Sequence, residues 1–253
     1  LIPTSHWIDR GFDANYDLGM TKFLIMIKHV TCELRNGTCR ENIYLGSGFG
    51  ANDSVLLRHD DAFLPHWQEF SNALQLYRNP EASHRFSIGN MQLTSSVMSV
   101  LTPSMRDNPI KSFTLSNNVF ANAGEGIEFA IEIIQSNQKL NDFYWANNSI
   151  ESIGDVNRLV DVIISHPTIE VVGLLNCFGE IVNGYSIMLS LISSNKQFLR
   201  IDLESNNLRT DGGTEMSDFL ATNPPLRELW LMNNHLDDND AVLIARALKQ
   251  NTN

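Results

Sequence analysis

Cysteine is scarce in this chain, with three in 253 residues. That is too few for a disulfide framework and points to a reducing compartment, with the cytoplasm as the expected location. Positive charge is also short: 18 Lys and Arg stand against 29 Asp and Glu, a net charge of −11. Such a surface repels a phosphate backbone, so no nucleic-acid partner is expected. Long apolar runs are missing as well. The longest, "FLIMI" at 23–27, falls far short of the roughly 20 residues that cross a bilayer, and no charged-apolar-small leader precedes it. No membrane partner is expected. The first residue is Leu rather than Met, which reads as a fragment of a longer chain. What the chain does contain is a 43% hydrophobic share with 19% charged residues, ample for a folded core.

The apolar residues are ordered by a repeat. One pattern recurs, apolar at positions one, four and six, Asn at nine and apolar at eleven. It is clearest at Leu226, Leu229, Leu231, Asn234, Leu236 and at Phe198, Ile201, Leu203, Asn206, Leu208. Leu140, Phe143, Trp145, Asn148, Ile150 and Ile110, Phe113, Leu115, Asn118, Phe120 fit equally. Two copies are degenerate, with Cys177 and Met91 in the Asn position. The units are 83–109, 110–139, 140–168, 169–197, 198–225 and 226–253. The second half of each reads as a helix: "DDNDAVLIARALKQN" from Asp237 starts acidic and places Ala241, Ile244, Ala245 and Leu248 on one face, and "EGIEFAIEIIQSN" from Glu125 behaves alike.

This pattern with its long helical remainder resembles the leucine-rich repeat, and the repeat length is similar to that of the ribonuclease-inhibitor-like subclass. The resemblance implies an α/β solenoid of strand-helix units, none of which buries its apolar side alone. Parallel strands sit about 4.8 Å apart and packed helices about 8–10 Å apart, so the strands are expected on the concave face of a curved arc and the helices on its convex face. Positions four and six then face the core, while three, five and seven face out.

The Asn at position nine both donates and accepts, which suits it to satisfy backbone groups where the chain leaves a strand. Asn118, Asn148, Asn206 and Asn234 are expected to form a structural ladder of this kind.

The outward positions change character along the chain. Arg85, Ser87, Gly89, Ser112, Thr114 and Ser116 come first, then Asp142, Tyr144 and Ala146, then Val171, Gly173 and Leu175. The last two copies supply Arg200, Asp202, Glu204, Glu228, Trp230 and Met232. Aromatic residues and Met are enriched at protein interfaces, and neighbouring acids set the sign of a partner. Tyr144, Leu175, Arg200, Asp202, Glu204, Glu228, Trp230 and Met232 are therefore the candidate partner-binding residues, and the partner is expected to be a protein with a basic, partly apolar surface. The competing reading is that further repeats cover Trp230 and Met232, since "ALKQNTN" stops where another strand is due and carries no polar cap.

Residues 1–82 show no clear copy of the repeat. From Asp60, however, Phe63, Trp67, Phe70, Leu74 and Tyr77 recur at helical spacing, as expected of a capping helix. "KFLIMIKHV" from Lys22 reads as a strand. "GSGFG" at 46–50 lacks the following Lys-Ser/Thr of a phosphate loop and reads as a flexible loop. His29, Cys32 and Cys39 match no standard zinc spacing. Asp60 and Asp61, like Asp237, Asp238 and Asp240, sit where helix starts favour negative charge. Three Asn-x-Ser/Thr triplets, at Asn36, Asn52 and Asn147, have no meaning in a reducing compartment.

The expected function is a non-enzymatic protein-interaction scaffold with no cofactor and no metal, because no nucleophile, base and orienting group coincide on the outward face. The alternative carried by the resemblance is regulation of an enzyme, as in the Ran GTPase-activating protein or ribonuclease inhibitor. A sensor module like the repeats of NOD-like receptors is a further one. The chain departs from the inhibitor in its few cysteines and from the GTPase activator in lacking a long acidic tail.

Overall fold

Alternation of apolar and polar residues, repeated at a near-constant interval, builds parallel strands whose inner side chains line up from copy to copy. Phe86 pairs with Phe113 and Ile88 with Leu115. Phe143 pairs with Val172 and Trp145 with Leu174, and Val172 and Ile201 continue to Leu229. Nearly all these inner side chains are buried, so positions four and six of the repeat supply the core. A computed structural model describes residues 6–39, 42–47, 55–77, 84–179 and 183–251.

The chain divides into two compact units, Leu1–Leu140 and Asn141–Asn253. The first holds helix α1 (Ala14–Arg35), strand β1 (Asn42–Gly46), a 3-10 turn at Asp61–Phe63, α2 (Leu64–Leu76), β2 (His84–Gly89), the short β3 (Gln92–Leu93), α3 (Ser95–Arg106), β4 (Ile110–Ser116), the short β5 (Val119–Phe120) and α4 (Ala123–Ser136). Its parallel order is β1-β2-β4, with β3 and β5 paired apart. The second holds β6 (Asp142–Ala146), α5 (Ile153–Ser165), β7 (Val171–Leu175), α6 (Gly184–Ile192), β8 (Arg200–Asp202), α7 (Glu215–Ala221), β9 (Glu228–Trp230) and α8 (Asp238–Leu248). There the order is β6-β7-β8-β9, and each helix packs on the next. Parallel strands alternating with helices fit a leucine-rich-repeat-like α/β fold.

Helix starts are marked by side-chain caps. Asp13, Thr94, Asn122, Ser152 and Asn183 each accept a backbone N–H in the first turn of the helix that follows. Asp237 and Asp240 satisfy each other's backbone N–H groups at the start of α8 in a capping box.

Two findings depart from the sequence reading of the N-terminal region. "KFLIMIKHV" is helix, not strand, because Met20, Phe23, Ile27, Val30 and Leu34 fall on one face of α1 and are buried. Within that apolar run Ile25 is 65% exposed, which a buried strand would not allow. The second departure is β1, which pairs Ile43 with Phe86 and Leu45 with Ile88 and so extends the strand order before residue 83. Its spacing to the next copy exceeds the regular interval, which hides it from a search at fixed period. Of the "GSGFG" stretch, Gly46 ends β1 and residues 48–50 lie outside the described residues. The stripe Phe63, Trp67, Phe70, Leu74 and Tyr77 is buried. Phe23 of α1 packs against both Phe63 and Trp67, with ring centroids 5.5 and 5.3 Å apart.

Helix α8 also departs from expectation. Of its predicted apolar face, Ala241, Ala245 and Leu248 are exposed and Ile244 is half-buried, while the buried residues of the helix are Asp240 and Ala247. Among the described residues α8 packs chiefly on α7, with Asp240 also accepting from the Thr210 hydroxyl, and most of its remaining surface is exposed.

Candidate interaction surface

In the six copies of the repeat, the turn after the strand is set by two consecutive residues. Position eight adopts the left-handed conformation in six copies: Asn90, Asn117, Asn147, Asn176 and Asn233, with φ between 44° and 57°, and Ser205 at 60°. Asn tolerates that region better than other residues with a side chain, because its short amide bonds locally. The doublets Asn117-Asn118, Asn147-Asn148 and Asn233-Asn234 carry this signal, which the repeat pattern had left unused. Position nine then bonds the neighbouring copy. Asn118 Oδ1 accepts the Met91 N–H at 3.2 Å and its Nδ2 donates to the Ile88 carbonyl at 2.9 Å. Asn206 Oδ1 accepts from the N–H groups of Cys177 (3.0 Å) and Phe178 (3.3 Å), while its Nδ2 donates to the Leu174 carbonyl. Asn234 Oδ1 accepts from Asn206 (2.9 Å) and Leu208 (3.0 Å), and its Nδ2 donates to the Leu203 carbonyl at 2.9 Å. Asn148 is buried, and its backbone carbonyl accepts the Trp145 indole N–H at 2.8 Å.

These turns fix the strand register in the second unit. Position five forms one row across four strands: Tyr144 beside Gly173, Gly173 beside Asp202, Asp202 beside Trp230. Gly173 is required there by close approach, since a Cβ would lie 2.3 Å from Tyr144 Cδ1. The Tyr144 ring thus lies across the Gly173 backbone and is only partly exposed, in contrast to the solvent-facing side chain expected from alternation alone. Leu175 is likewise half-buried, its Cδ1 close to the same glycine.

Arg200 joins the row together. Its Nη1 donates to Tyr144 Oη at 3.2 Å and its Nη2 to Glu228 Oε1 at 2.7 Å. Its guanidinium carbon sits 5.6 Å from the centre of the Trp230 ring, a cation–π distance. Trp230 in turn donates its indole N–H to Glu228 Oε2 at 3.1 Å. Glu204 accepts from Asn233 Nδ2 at 3.0 Å. Trp230 and Met232 remain 43% and 57% exposed.

Asp202 sits differently from its neighbours. It is 5% exposed, with Oδ1 accepting the Glu204 N–H at 3.2 Å. Burial holds its carboxyl above the usual range, although that N–H and the Arg200 charge pull the other way. Burial likewise raises the Tyr144 hydroxyl, opposed by its bond from Arg200. Glu228 is held below the usual carboxylate range by its hydrogen bond from Arg200. The acidic group expected from the sequence is thereby subdivided: Glu228 is ion-paired, Asp202 is covered, and Glu204 is partly exposed.

In the first unit, neither Cys32 nor Cys39 is in a disulfide, and His29 faces Glu33 at 3.4 Å. Burial, with Glu33 adding to it, pushes the Cys39 thiol up to about 11. No helix among the described residues is long and apolar enough to cross a membrane.

No protein-family profile matches the chain, and no curated protein matches it. Among solved structures it is similar to leiomodin-1 actin-binding site 2, at 14% identity, over 67% of this chain and 88% of that one, with a TM-score of 0.47.

Proposed function

We propose that the protein is a non-enzymatic recognition scaffold built of ribonuclease-inhibitor-like leucine-rich repeats, which holds a protein partner on the open strand face of its second unit. The observation that carries this reading is the exposure of Trp230 and Met232 beside an ordered Tyr144-Arg200-Glu228 network. Large apolar side chains held rigid by polar neighbours are what binding hot spots are made of, since little entropy is lost when they are covered. Leu175 and Glu204 extend the surface along the same face.

Affinity capture with the wild type and with the double variant Trp230→Ala, Met232→Ala tests this. A protein recovered by the wild type and lost from the variant, with unchanged melting, is the expected outcome. Equal recovery from both removes this face as the binding surface.

A further inference from the structure

The partner's recognition chemistry can be read from what Arg200 already occupies. This rests on the recognition role of the open face proposed above. Around the guanidinium stand one carboxylate in direct contact (Glu228), a phenol oxygen (Tyr144) and an indole face (Trp230), with a second, covered carboxylate (Asp202) two residues along β8 and beside Trp230 in the strand register. Acceptors and an aromatic plane arranged in this way match a planar cation, with hydrogen bonds taken at its edge and stacking at its face. Glu204 lies close by, just past the end of β8, with its N–H bonded to Asp202, so with Arg200 swung aside the cluster is strongly negative.

We propose that this cluster is a guanidinium-binding site, filled at rest by Arg200 and opened when a partner presents its own arginine side chain. The exchange is balanced in kind, because the incoming guanidinium makes the contacts that the resident one gives up. Arg200 is partly exposed and returns to water at little cost. The resident fit is also imperfect: Arg200 Nε is shielded from solvent and has no hydrogen-bond acceptor. An unpaired shielded donor costs free energy that a guanidinium entering from the solvent side does not incur. Trp230 and Met232 at the rim then cover the aliphatic stem of the arriving side chain. Lysine satisfies the charge but neither the fork nor the stacking, so the site discriminates between the two.

The test uses the whole chain and two small probes, N-acetyl-arginine amide and N-acetyl-lysine amide, followed through the Trp230 indole N–H resonance. Arg200→Ala vacates the site and is expected to bind the arginine probe at least tenfold more tightly than the wild type does, with little response to the lysine probe. Adding Glu228→Gln to Arg200→Ala should reverse the gain. Equal arginine affinity in wild type and Arg200→Ala overturns the proposal. So does tight binding of an acidic peptide to the wild type that Arg200→Ala abolishes, which would make Arg200 itself the recognition group. Should Arg200→Ala melt well below the wild type, Arg200→Lys serves instead: it keeps the charge but loses the fork, and must still gain arginine affinity. Arginine binding by Arg200→Ala together with capture that is insensitive to Trp230→Ala, Met232→Ala would uphold the pocket and reject the recognition role, so the two failures are distinguishable.

Discussion

The first unit spends its aromatic residues inside, and the second places one on the surface. Trp7, Phe23, Phe63, Trp67 and Phe70 are buried among α1, α2 and the turn before it. In the second unit Trp145 is buried, whereas Trp230 stands on the open strand face. Charge follows the same division: the first unit carries 11 basic and 14 acidic residues, the second 7 and 15. One repeat plan therefore serves two purposes. An irregular start with a long helix and heavy aromatic packing supplies a closed core, while regular copies with small inner strands leave the outward row free to carry an organised polar and aromatic cluster.

Substitutions that treat the two regions alike should reveal the contrast. The largest effect is expected from Trp67→Ala, which empties a fully packed position between α1 and α2 and should cost about 3–5 kcal/mol in chemical denaturation. Next comes Asn206→Ala, which strips partners from two backbone N–H groups and one carbonyl and should cost about 3 kcal/mol. A loss below about 1 kcal/mol would mean that water replaces the amide.

A smaller, pH-dependent effect belongs to Asp202. Its folded-state pKa is raised, so the carboxyl favours the folded state most below its unfolded value, and that contribution disappears as pH rises through the folded value. Asp202→Asn should therefore gain stability relative to wild type between pH 3 and pH 7. Denaturation curves at both ends of that range measure the gain, and a constant difference would contradict the assigned burial. The smallest effect is expected from Trp230→Ala, about 1 kcal/mol, because the ring is 43% exposed and gives up only its surface contacts with Arg200 and Glu228. A loss as large as that of Trp67→Ala would erase the contrast between the units.

How much of this was legible in the sequence varies with the physics involved. Strand pairing within each unit, Phe86 with Phe113 in the first and Phe143 through to Leu229 in the second, follows directly from spacing, since apolar residues at fixed offsets have one way to line up. Strand β1 was hidden because the connection through α2 is longer than in later copies, and periodicity detects intervals rather than shapes. α1 was misread because a run of apolar residues looks alike in a buried strand and in a helix whose flank is exposed. For the outward row, alternation gave the direction of each side chain but not the height of its neighbours. Asp202 points outward and is still covered, and Tyr144 lies down because position 173 is glycine. The pairing of Arg200 with Tyr144 spans 56 residues and depends on long side chains meeting over that gap, which no local pattern encodes.

The side-chain amides at the turns give the second unit a direction. Asn206 fastens the turn at Leu174–Phe178, and Asn234 fastens the one at Leu203–Leu208, so each turn is latched from the copy that follows it. Like roof tiles, each course is held down by the next one laid. Lifting a copy frees the one before it, so unravelling started at β9 travels toward β7, whereas a disturbance at β7 opens the Asn206 latch and leaves the Asn234 latch closed.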